Sequence, residues 1–229
     1  MVNKKNLNDL FNLQDKVAVV FGGGGHLCSV MAEGLAMANA SLAIVDMRIE
    51  KAERVAEKIK KDYGVRTISM KANVINEESL INVQERILNE FGTIDILING
   101  AGTNSPKPFL EINLEEWQNV MDSQITGTML SCKVFAPNMI KSKKGSIINI
   151  SSASAGPPLS KAFAYSVAKA GIKNLTMNLA REWAKYNIRV NAIRPGFFPT
   201  EWNKKNFITK EREHAILNHT PMNRYGQPR

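Results

Sequence analysis

Short apolar runs alternate along this chain with segments whose apolar residues recur every three to four positions. The runs cover residues 16–21 (KVAVVF), 42–45, 65–72, 94–98, 146–150 and 188–193. They are near-continuous rather than alternating, and each predicts a β-strand buried on both faces. Between the first two, Leu27, Val30, Met31, Leu35 and Ala38 form one helical stripe over 26–40. Ala52, Val55, Ala56 and Ile59 form another over 49–63. Asn76 reads as an N-cap with Glu77 and Glu78 in the first turn, opening a helix that carries Leu80, Val83, Ile87, Leu88 and Phe91. Asn113-Leu-Glu-Glu116 reads as a capping box for a long helix toward Ile140, which Pro137 ends or kinks early. The last long stripe has Ile172, Leu175, Leu179 and Trp183 on its inner face, with Asn187 as its stop.

This alternation predicts an α/β fold, a doubly wound parallel sheet with helices on both faces. No repeat or low-complexity segment divides it, so residues 1–229 read as a single domain, with 1–15 a polar leader. Sheets of this kind bind ligands beyond the carboxyl ends of their strands, where strand order reverses. The conspicuous glycine and polar clusters fall at those ends: Gly22 to Gly25, Asp46, Asn99 to Gly102, Ser151-Ser152 and Pro195-Gly196.

Composition narrows the functional classes. A length of 229 residues with 44% hydrophobic content suits one substantial core. The first sixteen residues hold no run long enough for a signal peptide or a spanning helix, so a soluble, cytoplasmic protein without a membrane partner is expected. The net charge of +9 is scattered, without an aromatic-interleaved basic stripe, and reads as a solvated surface rather than a nucleic-acid interface. Cys28 and Cys132 fit reduced core residues. His26, His214 and His219 lack metal-ligand spacing, and no metal is expected.

Two constellations carry chemistry. Gly22 to Gly25 follow a strand and precede a helix, a context in which backbone N–H groups reach a pyrophosphate; the same glycines also serve a tight turn. Asp46 ends the second strand 24 residues after Gly22. A carboxylate there either accepts from the ribose hydroxyls of an adenosine and repels a 2′-phosphate, or caps the next helix. Tyr165 and Lys169 lie four apart on one helix and therefore share a face. An ammonium beside a phenol favours the phenolate, and Ser152 can hold a substrate oxygen, which together make a proton-transfer site for an alcohol or carbonyl. Alone, such a pair is more often a core tyrosine beside a solvated lysine.

Taken together, the glycine turn, Asn99-Gly-Ala-Gly102, Ser152, Tyr165-x-x-x-Lys169 and Pro195-Gly196 with Thr200 resemble the short-chain dehydrogenase/reductase family over essentially the whole chain. Twelve residues separate Ser152 from Tyr165, as in that family. The resemblance implies a Rossmann-type fold, with Tyr165 as general acid/base, Lys169 lowering its pKa, and Ser152 polarising the substrate oxygen. Bringing a phenol from about 10 to near 7 requires roughly 4 kcal/mol, which Lys169 and a cationic nicotinamide can supply. The implied cofactor contacts are Gly22, Gly24, Gly25, His26, Leu27, Asp46, Asn73, Val74, Asn99, Ala101, Gly102, Tyr165, Lys169, Pro195, Gly196, Phe198 and Thr200, with Val74 bordering the adenine. Asp46 favours NAD over NADP, and Arg48 softens that preference. A homodimer or homotetramer is implied through the long helices.

Departures from the pattern are specific. Phe21 replaces the family's threonine before the first glycine, and His26 and Cys28 take the places of later glycines. Of these His26 is not small and implies a locally different turn. Gln124 stands where the family has a fourth catalytic residue, an asparagine, and carries the amide one methylene further out. The glycine run and Pro195 to Phe198 resemble the subgroup acting on sugar acids, the D-mannonate and gluconate oxidoreductases. The segment from Gly226 to Arg229 resembles the stretch before the family's last helix and strand, so a longer natural chain is expected, with 188–193 otherwise an apolar edge. Residues 197–218, with Trp202 and Phe207, are implied to form a substrate lid. The expected activity is NAD-dependent interconversion of a secondary alcohol and a ketone on a small polar substrate. The alternative is a catalytically silent nucleotide-binding protein with a regulatory or scaffolding role.

Overall fold

The computed structural model describes residues 10–157, 159, 161–206 and 208–228. Residues 1–9 of the leader, Pro158, Phe207 and the Trp202 side chain lie outside the described residues. Six parallel strands form one sheet in the order β3-β2-β1-β4-β5-β6. They are β1 (Val17–Phe21), β2 (Ser41–Asp46), β3 (Thr67–Lys71), β4 (Ile96–Asn99), β5 (Gly145–Ile150) and β6 (Ile188–Ile193). Winding runs outward in both directions from β1, so the order reverses between β1 and β4, and a crevice opens above their carboxyl ends.

The helices cover both faces because the central strands are apolar on both. All five residues of β1 are buried. On one face Val17, Val19, Phe21, Leu97 and Ile147 pack against α3 (Glu77–Phe91), α5 (Gly127–Ser142) and α6 (Phe163–Trp183). Phe21 meets Phe135 of α5 edge-on at 5.5 Å. On the other face Ala18, Val20, Leu42 and Ile44 pack against α1 (His26–Met37) and α2 (Ile49–Tyr63). α4 (Leu114–Met121) opens with the expected capping box, in which Asn113 Oδ1 accepts from Glu116 N at 2.8 Å.

Three expectations are corrected. The helix begun at Leu114 is not uniform, because a π-turn, Asp122–Thr126, joins α4 to α5. Pro137 does not end α5, which continues to Ser142. Gln84 Nε2 donates to the Val134 carbonyl at 2.5 Å, supplying a side-chain donor in the turn beside the proline. β6 is not buried on both faces: Ile188 and Val190 are buried while Arg189, Asn191 and Ile193 are exposed. The edge it presents is therefore partly polar, and Arg189 donates to Ser146 Oγ at 2.9 Å. Beyond β6, α7 (Glu201–Asn206) and α8 (Lys210–Asn218) follow. Among the described residues no helix is long and apolar enough to cross a membrane.

Candidate active site

The turn after β1 is shaped by crowding. Gly22 has φ of 70°, and a Cβ there would stand 2.9 Å from the Gly100 and Ala101 backbone. A Cβ on Gly24 would meet Lys51 Cβ at 2.5 Å and the Asp46 carboxylate at 3.0 Å. α1 then begins without a side-chain cap and without an acid in its first turn. By contrast α3, α4 and α8 are capped by Asn76, Asn113 and Thr209. The first N–H groups of α1, from His26 onward, thus lack intrahelical partners and side-chain acceptors, a ready anion site. The His26 side chain is exposed, so it does not crowd the glycine turn. Cys28 is buried, and its sulfur fills the space a Cβ on Gly100 would need. Asp46 accepts from Gly24 N at 3.1 Å and from Arg48 N at 3.0 Å, so its carboxylate stands beside the glycine turn. Asn73 and Val74 follow β3 next to it, with Ala72 N bonded to the Asp46 carbonyl at 3.1 Å. Val74 is buried against Gly127, so its side chain serves the core more than any open face.

Ser152, Tyr165 and Lys169 converge at the end of β5. Ser152 Oγ accepts from Ser154 N at 3.1 Å, and it also pairs with the Tyr165 hydroxyl. Ser151 Oγ donates to the Lys169 carbonyl at 2.8 Å, joining strand end to helix. Lys169 is only 4% exposed, and its Nζ donates to the Ile150 carbonyl at 2.5 Å. The ammonium lies 5.4 Å from the Tyr165 ring centroid. Electrostatically the pair departs from expectation. Burial raises the Tyr165 phenol, the Ser152 hydrogen bond pulls it back, and Lys169 does not depress it. Burial instead acts on the lysine itself, lowering it to about 8. The lysine, lowered to about 8, has lost its charge before the phenol titrates, so no cation remains to favour the phenolate.

Tyr165 and Ser152 line a cavity of about 170 Å³, closed by Pro195, Gly196, Phe198 and Asn203. That is below the roughly 300–1,000 Å³ of pockets for drug-sized ligands, so it suits a small metabolite. Phe198 also packs over Gly226, whose N–H donates to the Phe197 carbonyl at 2.8 Å. Thr200 is at the cavity's edge in sequence, but its hydroxyl is engaged as a helix cap, donating to Asn203 Oδ1 at 2.6 Å. Asn99 and Ala101 sit at the mouth of the crevice beside the glycine turn, and the Asn99 side chain turns inward to Asn149 at 2.9 Å. Gln124 lies in the π-turn, buried, with Nε2 donating to the Thr103 carbonyl at 2.7 Å and Oε1 unpartnered. Its amide occupies the place a Cβ on Gly102 would take, where φ is 152°. Among the described residues no cluster of three or more metal-ligating side chains occurs.

Two arginines escaped the sequence reading. Arg194 Nε donates to the Ser152 carbonyl at 3.1 Å and its Nη2 to the Ala153 carbonyl at 3.2 Å, clipping the serine loop to the end of β6. Its position directly before Pro195 was the available signal. Arg212 of α8 also lines the cavity, and no local pattern marks it.

The fold, the glycine turn and the Ser-Tyr-Lys cluster define a dinucleotide-dependent oxidoreductase class. The short chain dehydrogenase family model matches residues 16–211, and the chain belongs to that family. The uncharacterised oxidoreductase UxuB of Bacillus subtilis is 38% identical over 237 residues, covering 95% of this chain and 85% of the relative. A 2-dehydro-3-deoxy-D-gluconate 5-dehydrogenase of Formosa agariphila is 34% identical, covering 96% and 84%. A Haemophilus influenzae structure, provisionally assigned as a D-mannonate oxidoreductase and solved with bound NAD, superposes with a TM-score of 0.89 at 36% identity, covering 97% and 87%.

Proposed function

We propose that this chain is an NAD-dependent oxidoreductase that interconverts a secondary alcohol and a ketone on a sugar acid such as mannonate or gluconate. The observation that carries the reading is the placement of Ser152 and Tyr165 on one small cavity with Lys169 packed behind them. Sugar-acid chemistry is supported by the gluconate and mannonate names of the relatives.

The chain's residues fit NAD. The open N-terminus of α1 and the glycine turn would take the pyrophosphate, and Asp46 the adenosine ribose. A 2′-phosphate would meet the Asp46 carboxylate, which favours NAD over NADP. When bound, the nicotinamide supplies or accepts the hydride. Ser152 Oγ holds the substrate oxygen by hydrogen bond. Tyr165 Oη gives that oxygen a proton in ketone reduction and takes it back in alcohol oxidation. Since burial holds the phenol protonated, the resting site is set for proton donation. Lys169 holds its place under the site through Ile150. The described residues of the 197–218 segment, Phe198, Asn203 and Ile208 among them, would serve as the lid over the cavity. Exposed Met129, Phe163, Val167 and Met177 on α5 and α6 support a dimeric or tetrameric assembly.

The test is NADH and NADPH titration followed by turnover on hexonates and keto-hexonates. Tyr165→Phe should lower turnover by at least 10²-fold while leaving NADH binding intact, the usual worth of a general acid/base being about 10²–10⁴. Retained turnover in Tyr165→Phe would refute the assignment.

A further inference from the structure

Among the described residues, Arg212 brings the only charged side chain to the cavity that holds Ser152 and Tyr165. The other polar lining groups are Asn104 and Asn203, both neutral, and the remaining walls are apolar side chains and backbone. The arginine is positioned by its own helix. Thr209 caps α8, and its hydroxyl accepts from Arg212 N at 3.2 Å, which fixes Arg212 in the first turn. Ile216, one turn further along the same helix, is buried and anchors it. The acids flanking Arg212, Glu211 and Glu213, are exposed and do not line the cavity.

We infer that Arg212 is the residue that recognises the carboxylate of the substrate, so that α8 selects acids over neutral polyols of the same length. The inference rests on the sugar-acid reading above and deepens it by assigning the group that reads the acid. A guanidinium suits this task because its planar fork matches a carboxylate with two parallel hydrogen bonds. It is partly desolvated, and in such a low-dielectric setting a charge-assisted hydrogen bond to an anion is stronger than in bulk water. With Ser152 and Tyr165 lining the same enclosure, one small molecule can touch the proton-transfer groups and the guanidinium at once. Asn104 and Asn203 are left for the intervening hydroxyls.

The experiment compares wild type, Arg212→Gln and Arg212→Lys in NAD-dependent turnover of a hexonate and of the matching neutral hexitol. Arg212→Gln should raise KM for the hexonate roughly 10–100-fold, the worth of hydrogen bonds to a charged group, with kcat changed little. The hexitol kcat/KM should stay the same or rise. Arg212→Lys should fall between, keeping the charge and losing the fork. Equal losses on acid and hexitol would overturn the assignment and mark Arg212 as structural. If wild type turns over neither compound, the sugar-acid reading fails on its own. Calorimetric titration of the NADH complex with the hexonate then still decides the arginine's role. Binding that Arg212→Gln abolishes sustains carboxylate recognition, and absent or unaltered binding overturns it.

Discussion

Replacing Lys169 by methionine should flatten the alkaline limb of this protein's stability curve. Lys169 is 4% exposed, and burial lowers it from 10.5 to about 8. Each pKa unit corresponds to 1.36 kcal/mol, so the ammonium weakens the folded state by about 3 kcal/mol wherever it is protonated in both states. Below pH 8 that cost is fully present. Between about 8 and 10.5 the unfolded chain binds more protons than the folded one, so stability rises with pH as the cost is relieved. Cys28 and Cys132 oppose this rise in its upper part, since burial pushes their thiols up to about 11 and about 12. Both thiols are present in wild type and variant, so the difference between the two curves reports Lys169 together with its coupling to the neighbouring Cys28. At neutral pH the variant should show little net change. It loses the buried charge but also strips the Ile150 carbonyl of its donor, a penalty of about 1–3 kcal/mol. The assay is urea unfolding of the cofactor-free proteins across the pH window at constant ionic strength, with m-values checked for equality. Wild type should gain about 3 kcal/mol on the variant as pH rises. Parallel curves would refute the claim that a desolvated ammonium sits beneath Tyr165.

Gly22→Ala should destabilise the fold by about 1–2 kcal/mol or more, because its φ is positive and its Cβ would press on the Gly100 backbone; an unchanged Tm would count against the turn as described. Asp46→Ala should weaken NADH binding about tenfold or more and narrow the gap to NADPH, read by fluorescence titration of both cofactors, and an unaltered ratio would remove Asp46 from cofactor choice. Alcohol oxidation should climb with pH, up to about tenfold per unit, while ketone reduction does not. The sign follows from burial raising Tyr165, since oxidation needs the phenolate and reduction the phenol. Superimposable pH–rate profiles in the two directions would contradict it.

Much of the architecture was legible because local and tertiary preferences agree. The helix Ile49–Tyr63 appears with the predicted bounds, its four inward residues all buried. Asn76 and Asn113 cap by accepting from N–H groups of the following turn, and Asn187 ends its segment with φ of 61°. Tyr165 and Lys169 share a face simply by helical period. The π-turn was not legible; Gln124 within it reaches the Thr103 carbonyl, a contact 21 residues away in sequence. Pro137 misled because the helix carries through it to Ser142, a tertiary outcome the local sequence does not encode. The electrostatics of Tyr165 misled for a similar reason. Spacing reports which groups are neighbours, but desolvation depends on everything packed around them. Arg194 follows β6 and clips the serine loop, while Arg212 reaches the cavity from α8, and no periodicity encodes either contact.

The asparagines facing each other at the core have a consequence for assembly of the sheet. Asn99 and Asn149 are register partners on β4 and β5, and both are almost wholly enclosed. Ser131 on α5 donates to Asn99, and Asn149 donates to Thr176 on α6 at 3.0 Å. Apolar strands by themselves tolerate sliding, since one Ile resembles the next. A one-residue slide of β5 would set Asn99 against Ile148 or Ile150 and strand several amide and hydroxyl groups in a dry interior, at about 1–3 kcal/mol each. Alternative alignments are thereby discouraged long before any ligand arrives. Ser152, three positions beyond Asn149, takes its height above the sheet from that single permitted alignment.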